Sequence, residues 1–237
     1  MEWVLIGVLA VLALAIIIGV IYGKNNERTE WDTDTSVPNY DEQQAKRYGD
    51  IGEQKVSIML NVIANKYSGK VYNKFCLEDD QGFSSEIDHI LVTIGGVFII
   101  ETKNNKGIVI GKENDDKWTC LKRIDQENKE LNNPIKQNQG HINHLRKMFK
   151  KNPPKMISVI VFPEADLSFL KIDKVYSMES AKAYIESCIQ ESIHKHQYSQ
   201  EFVERILAQL NEIKEIYGIS EEKHKQNTQK YHRKSEQ

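Results

Sequence analysis

Three charged residues, Asp88, Glu101 and Lys103, lie in two neighbouring apolar segments of the sequence, residues 86–92 and 97–103. If both segments are strands, the alternation of side chains places Glu101 and Lys103 on the same face of the second strand. Asp88 lies at the polar beginning of the first strand. Carboxylates at the margins of neighbouring strands can converge, so we expect these side chains to form one site.

Such a set of side chains is suited to metal-assisted hydrolysis of phosphodiesters. Carboxylate oxygens are ligands that Mg²⁺ and Mn²⁺ prefer. A bound cation lowers the pKa of a coordinated water and stabilises charge on a phosphate. A neighbouring lysine can orient that water, help to deprotonate it, or face the phosphate as a cation. The residues alone leave an alternative open, in which Asp88 closes a turn while Glu101 and Lys103 form an exposed ion pair.

The elements that must position these side chains are predicted from hydrophobic periodicity and turn residues. Apolar residues between Val56 and Ile63 follow helical spacing, and the Gly-Gly pair at 95–96 predicts a tight reversal between two strands. Asn133 as N-cap with Pro134 at the first position opens another helix. The predicted helices are 41–67, 133–151, 181–193 and 199–217. The predicted strands are 70–77, 86–94, 97–103, 156–162 and a second hairpin of 106–111 with 117–124.

The N-terminal segment, residues 3–22, contains no charged residue. A helix of about 20 apolar residues spans the hydrocarbon core of a bilayer, so the segment predicts a single transmembrane helix. Lys24 and Arg28 follow it, whereas the other flank offers only Glu2. Because positive charge marks the cytoplasmic side, we expect a cell-membrane protein with its N-terminus outside and its C-terminal domain in the cytoplasm. The alternative, a cleaved signal peptide, requires a basic start and a shorter apolar run.

Composition places few further bounds on function. The 237 residues carry a net charge of −2, which neither indicates nor excludes a nucleic-acid partner. Cys76, Cys120 and Cys188 are widely spaced and odd in number, so neither a disulfide framework nor a zinc site is predicted.

Four motifs in order resemble the nuclease-related domain (NERD) family, which is grouped with the PD-(D/E)XK nucleases. They are Gly52-Glu53 and the segments 86–90, 96–104 and 133–137, and the resemblance covers about residues 45–162. It implies an α/β fold with a mixed sheet and an αβββαβ core, followed by accessory helices.

The resemblance also implies roles for individual residues. Asp88, Glu101 and Glu53 would be ligands of Mg²⁺ or Mn²⁺, Lys103 would be the catalytic lysine, and Gln137 would contact the site or the substrate. From the residues alone, Glu53 extends the buried stripe of its helix or is an acid that stabilises the helix start. Gln137 is equally compatible with an ordinary semi-exposed glutamine.

The histidines offer weaker alternatives. His141 and His144 have an i, i+3 spacing that can bind metal, but the sequence shows no carboxylate partner for them. His89 alternates away from Asp88, so packing or hydrogen bonding is favoured for it over catalysis.

These observations together predict the organisation of the chain and a function. We expect a transmembrane helix (3–22), a linker (23–39), a NERD-like domain (40–165), a C-terminal strand and helical extension (166–219) and a disordered basic tail (220–237). The expected function is that of a membrane-anchored, metal-dependent nuclease acting on DNA or RNA. The alternatives are a catalytically inactive module that binds nucleic acid or protein, and a membrane-tethered scaffold.

Overall fold

The computed structural model describes residues 40–122 and 127–235. The predicted transmembrane helix at 3–22 and the linker at 23–39 lie outside these residues. Within the two described ranges, no helix has the length and apolar character needed to cross a membrane.

The described elements follow the predicted order of helix, three strands, helix and strand, with three small strands inserted before the second helix. In chain order the elements are α1 (Tyr40–Lys66), β1 (Lys70–Glu78), β2 (Ser84–Thr93), β3 (Gly96–Thr102), β4 (Gly107–Ile110), β5 (Lys117–Leu121), β6 (Lys129–Asn132), α2 (Pro134–Met148), β7 (Met156–Val161), β8 (Ala165–Asp166), β9 (Val175–Tyr176), α3 (Met178–Lys195), α4 (Gln200–Tyr217) and α5 (Glu221–Ser235). This mixed α/β arrangement is consistent with a PD-(D/E)XK-like core.

The main sheet has five strands in the order β1-β2-β3-β7-β9. Strands β1, β2 and β3 are antiparallel to one another, whereas β3, β7 and β9 run parallel. The predicted reversal at 95–96 is present, with Thr93 paired to Gly96 and Gly96 at φ 124°, a conformation that glycine adopts without strain. Strand β3 is therefore an interior strand, and every one of its residues is buried.

Two hydrophobic layers cover the faces of this sheet. Ile99 of β3 belongs to the layer formed with α2 and α4, whereas Phe98 and Ile100 belong to the layer formed with α1 and α3. The opposite placement of Ile99 and its two neighbours is the alternation expected of a strand buried on both faces. Because α3, α4 and β9 complete these layers, the C-terminal extension is part of the same core.

A second, four-stranded sheet has the order β6-β5-β4-β8. It contains the predicted hairpin as β4 and β5, to which β6 and β8 add an edge on each side. Trp118 of β5 is buried, stacks on Phe162 at 6.4 Å between ring centroids, and donates its indole N–H to the carbonyl of Lys112 at 2.9 Å. The indole thus packs this small sheet against the end of β7.

The prediction of a disordered tail is wrong for residues 221–235, which form α5. Its composition is polar, but its first turn is capped, since the Ser220 hydroxyl accepts the N–H of Lys223 at 3.2 Å. Contacts with the main sheet hold the helix. Asn227 donates to Glu78 at 3.1 Å, and His224 Nδ1 is 2.9 Å from the Ser84 hydroxyl. These long-range contacts offset the low hydrophobicity of the segment.

Asn133 is the N-cap that the sequence predicts for α2, and it also joins α2 to the second sheet. Its side-chain oxygen, Oδ1, accepts the N–H groups of Ile135 and Lys136 at 2.9 and 3.4 Å. Its side-chain nitrogen, Nδ2, donates to the backbone carbonyls of Glu113 and Asp115 at 2.9 and 2.7 Å. The side chain is buried, so its loss leaves several backbone groups without partners.

We expect Asn133→Ala to lower the free energy of unfolding by roughly 1–3 kcal/mol. The matched control is Asn132→Ala, since Asn132 is exposed and adjacent. Urea unfolding of the detergent-purified full chain, followed by circular dichroism, measures both. Equal effects of the two substitutions would contradict the capping role.

Candidate active site

The site forms where strand β2 separates from strand β3. The last pair of their ladder is His89 with Ile100, and the next pair in this register would be Asp88 with Glu101. Strand β3 continues to pair with β7 as far as Thr102. In place of the missing ladder bond, the Asp88 carboxylate accepts the backbone N–H of Thr102 at 2.7 Å. The two predicted carboxylates are thereby brought to neighbouring positions at the opening between the strands.

In β1 and β2, the alternation of side chains between the two faces of the sheet is interrupted near the site. Tyr72 and Phe75 of β1 face one hydrophobic layer although they are three residues apart, and so do Ile87 and Ile90 of β2. Between the first pair, Lys74 has φ 48°, a left-handed conformation that is uncommon for a lysine. The interruption redirects side chains at the height of the site while the strand register is kept.

Glu101 is the centre of the contacts in this site. Its side chain is buried, with a relative exposure of 1%. Lys103 Nζ lies 2.7 Å from Glu101 Oε1 and donates to Gln137 Oε1 at 2.9 Å, while His141 Nε2 is 3.5 Å from Glu101 Oε2. The predicted residues therefore form a chain of contacts in which Lys103 bonds both Glu101 and Gln137. Helix α2 supplies Gln137 and His141.

The charges of the site shift each other's pKa values. Burial alone would raise the pKa of Glu101, but Lys103 and His141 outweigh it and lower that pKa. Burial raises the pKa of Asp88 well above its usual range, and the charge of Glu101 adds to this. Burial opposes the charge of Lys103, yet the ion pair with Glu101 raises the pKa of its ammonium. This arrangement favours a cationic lysine over one that acts as a general base.

Glu53 lies near the site, but its direct partner is a residue that sequence reasoning missed. Its carboxylate is 3.6 Å from Lys74 Nζ, which is also 3.2 Å from Asp50. Burial raises the pKa of Glu53, and the nearby Lys74 opposes that shift. The charge of Glu53 in turn contributes to the raised pKa of Asp88. The unusual backbone of Lys74 that brings it here has no signal in the sequence.

Gly52, which precedes Glu53, allows α1 to approach the end of β3. A Cβ atom at this position would lie 2.4 Å from Cβ of Asn104, a distance that folded proteins do not tolerate. Asn104 follows Lys103 directly and donates to the carbonyl of Tyr48 in α1. The Gly52-Glu53 motif thus combines a close helix contact with an acidic side chain near the site.

The sequence shows no carboxylate partner for His141 or His144, but the structure places one beside each. His141 faces Glu101, and His144 Nε2 lies 3.6 Å from Asp79 Oδ2. His144 is buried, lies 2.6 Å from the Ser85 hydroxyl and packs against Phe83. His89 Nδ1 is 2.8 Å from Oδ1 of Asn73, which supports the expected hydrogen-bonding role. Burial lowers the pKa of His89 to about 4.

The donor set at the opening fits a divalent cation in part. Glu101 Oε2 and Glu53 Oε2 are buried and make no hydrogen bond to the described residues; their neighbours, His141 and Lys74, lie at the longer distances of 3.5 and 3.6 Å. Buried oxygens of this kind require a partner, and a cation can supply one. Over the ranges that the structure describes, however, no group of three or more His, Cys, Asp or Glu side chains is arranged to hold a metal. Asp88 and Glu101, at neighbouring positions, are the carboxylates that would hold such a cation, and the set of three with Glu53 stays a prediction.

A cleft of about 680 Å³ opens beside Asp88. Its floor includes Asp88, its α2 wall includes Gln137 and His141, and the wall opposite is formed by the β1–β2 loop and α5. The side chains of the cleft are those of Phe83, Ser84, Ser85, Glu86, Asp88, Lys136, Gln137, His141, His224, Lys225, Thr228 and Gln229. The site is therefore accessible to a ligand that lies along α5.

Comparison with known families agrees with this geometry. Residues 48–163 match the family model of NERD, the nuclease-related domain. The matched segment contains all five predicted site residues: Glu53, Asp88, Glu101, Lys103 and Gln137. It includes the α2 wall of the cleft but ends before α3, α4 and α5, so the α5 wall lies outside it.

The chain is also similar to an uncharacterized protein of Bacillus anthracis. The two are 30% identical over 145 residues, which is 60% of this chain and 66% of the relative. The match thus spans just under two thirds of that relative's length. No solved structure matches the chain.

The Asp88 carboxylate is buried beside the charge of Glu101. An asparagine keeps an oxygen that accepts the Thr102 N–H while it removes the buried charge, so we expect Asp88→Asn to stabilise the fold. The expected gain in the free energy of unfolding in EDTA is roughly 0.5–2 kcal/mol. Asp80→Asn, an exposed carboxylate two residues beyond β1, should leave stability unchanged. Urea unfolding measures both, and a loss of stability in Asp88→Asn would show that its charge is net favourable.

Proposed function

We propose that this chain is a divalent-metal-dependent nuclease that hydrolyses phosphodiester bonds in DNA or RNA. The single observation that carries the proposal is the contact of Lys103 with Glu101 and Gln137, since Gln137 and Asp88 line the same open cleft. The match of residues 48–163 to the nuclease-related domain supports it.

The residues have distinct parts in this proposal. Asp88 and Glu101 would hold Mg²⁺ or Mn²⁺, which supplies an activated water and neutralises charge on the phosphate. Lys103, kept cationic by Glu101, would be a donor and positive charge for a phosphate bound beside Gln137 and Asp88. Gln137 accepts a hydrogen bond from the lysine ammonium and so fixes its position. His141 supports the ionised form of Glu101 from the other side.

Cleavage assays test the proposal directly. The detergent-purified full chain is incubated with plasmid DNA, single-stranded DNA and RNA in Mg²⁺, Mn²⁺ or EDTA. We expect divalent-dependent cleavage that EDTA abolishes. Lys103→Met and Asp88→Asn should each lower the rate by roughly 10²–10⁴-fold, since each removes a charge at the reacting phosphate or its cation.

The matched controls are Lys112→Met and Asp173→Asn, whose side chains are exposed and do not line the cleft. Both controls should cleave at the rate of the unmodified chain. Nucleic-acid binding without cleavage in every metal would favour the catalytically inactive binding module instead. Absence of both binding and cleavage would leave the scaffold hypothesis.

We further propose that residues 3–22 anchor the chain in the cell membrane, with the nuclease-like domain in the cytoplasm. The support is the uncharged apolar run of 20 residues and the positive charges that follow it, Lys24 and Arg28. The tether would confine cleavage to nucleic acid that reaches the membrane.

Reporter fusions at the C-terminus test this topology. An alkaline phosphatase fusion, which is active only outside the cytoplasm, should be inactive, whereas a fluorescent-protein fusion should be active and membrane-bound. Replacement of Lys24 and Arg28 by glutamate should reverse part of the population. An active phosphatase fusion of the unmodified chain would disprove the cytoplasmic placement.

A further inference from the structure

Helix α5 forms a wall of the cleft in front of Asp88, although it lies beyond the segment that matches the nuclease-related domain. Its side chains on the cleft side are those of His224, Lys225, Thr228 and Gln229. A helix that begins more than 50 residues after the end of the family match therefore contacts the same space as the predicted catalytic residues.

A separate set of side chains holds α5 in place. Lys223 and Asn227, one turn apart, both contact Glu78 of β1, and His224 contacts Ser84 of β2. Glu221 at the start of the helix lies 3.6 Å from Lys74 Nζ. These contacts position the helix without Lys225, which is exposed and makes no ion pair with any described residue. Lys225 is thus available to a ligand in the cleft.

Two exposed aromatic side chains border the same space. Phe83 is 53% exposed and lines both the main cleft and an adjoining cavity of about 520 Å³, where Tyr231 of α5 is 68% exposed. Lys230 lines the adjoining cavity as well. Exposed aromatic rings next to lysines are the features with which proteins bind single strands, because every base offers a stacking face and every phosphate a charge.

We infer that α5 and the β1–β2 loop form a groove for single-stranded nucleic acid that leads to Asp88. Tyr231 and Phe83 stack on bases, and Lys225 and Lys230 contact phosphates. The inference rests on the proposed nuclease function for the purpose of the groove, but binding itself requires no cleavage.

The geometry favours a single strand over a duplex. In a duplex the bases are stacked on one another and paired, so an isolated ring on the protein surface has no base to stack on. The rings of Phe83 and Tyr231 border cavities of about 680 and 520 Å³, on the scale of pockets that enclose small ligands. The unpaired bases of a single strand can turn into such spaces, whereas a duplex can only lie across them.

Binding is measured on the detergent-purified full chain in EDTA, where the proposed metal-dependent cleavage is off. The probe is a fluorescein-labelled oligothymidylate of about 16 nucleotides, and the competitor is a hairpin duplex of equal length. Fluorescence anisotropy gives Kd at several salt concentrations. We expect a lower Kd for the single strand than for the hairpin.

Two variants separate stacking from charge. Tyr231→Ala should raise Kd for the single strand by roughly 5- to 150-fold, because one stacked base loses its platform. Lys225→Ala should lower the slope of log K against log salt by about 0.7, the value for one lost phosphate contact on a single strand. The matched controls, Phe169→Ala and Lys182→Ala, remove an exposed aromatic and an exposed helical lysine away from the cleft and should leave Kd unchanged.

Circular dichroism verifies that α5 is retained, and Phe83→Ala on the opposite wall tests stacking independently of that helix. Unchanged affinity in both Tyr231→Ala and Phe83→Ala, or tighter binding of the hairpin, would overturn the inference. If the chain binds the strand through these residues but cleaves nothing in Mg²⁺ or Mn²⁺, the groove stands and the proposed nuclease function fails. If the unmodified chain cleaves in a metal-dependent way but these variants bind the strand as tightly as it does, the nuclease function is supported and the groove is disproved.

Discussion

A carboxylate charge buried at the end of an interior strand is the constraint on which the site depends. Every residue of β3 is buried, and Glu101 lies at its penultimate position. Burial of an ionised carboxylate costs several kcal/mol unless the charge is paired and hydrogen-bonded. Lys103 provides the pairing, and Gln137 of α2 holds the lysine in turn. The position of α2 over the sheet is thereby tied to the charge balance of the site, since displacement of the helix would leave Glu101 and Lys103 less well satisfied.

The opening beside Glu101 exists because one side chain takes over a backbone hydrogen bond. Where the β2–β3 ladder stops, the N–H of Thr102 would lack a partner on that side, and the Asp88 carboxylate accepts it. Asp88 and Glu101 thereby occupy neighbouring positions where the ladder ends. Burial and the charge of Glu101 raise the pKa of Asp88, and carboxylates perturbed in this way are a known feature of functional sites. The local loss of sheet pairing and the concentration of negative charge thus have one structural origin.

The sequence was sufficient for features that depend on neighbours along the chain. Alternation within one strand placed Glu101 and Lys103 on the same face, and the Asn-Pro pair marked the start of α2. The contact of His141 with Glu101 could not be predicted, because it depends on how α2 docks across the sheet. Residues 221–235 were predicted as disordered for a similar reason. Their composition is polar, and the side chains that hold α5 lie 140 and 149 residues earlier in the chain. Local helix propensity does not include the stabilisation that such distant partners provide.

The near-neutral net charge conceals a separation of charge across the cleft. Glu86 and Asp88 lie on the floor, whereas Lys136 and Lys225 lie on the walls. A polyanion alone would be attracted by the walls and repelled by the floor, and a divalent cation alone would experience the opposite. Under the proposed function, a phosphodiester that binds together with a cation satisfies both, since the cation lies between the carboxylates and the phosphate. Each partner then makes the binding of the other more favourable, and by linkage this coupling is equal in both directions. The acidic floor is therefore compatible with a nucleic-acid ligand, because the cation that the proposed chemistry requires strengthens binding of the phosphate beside the floor.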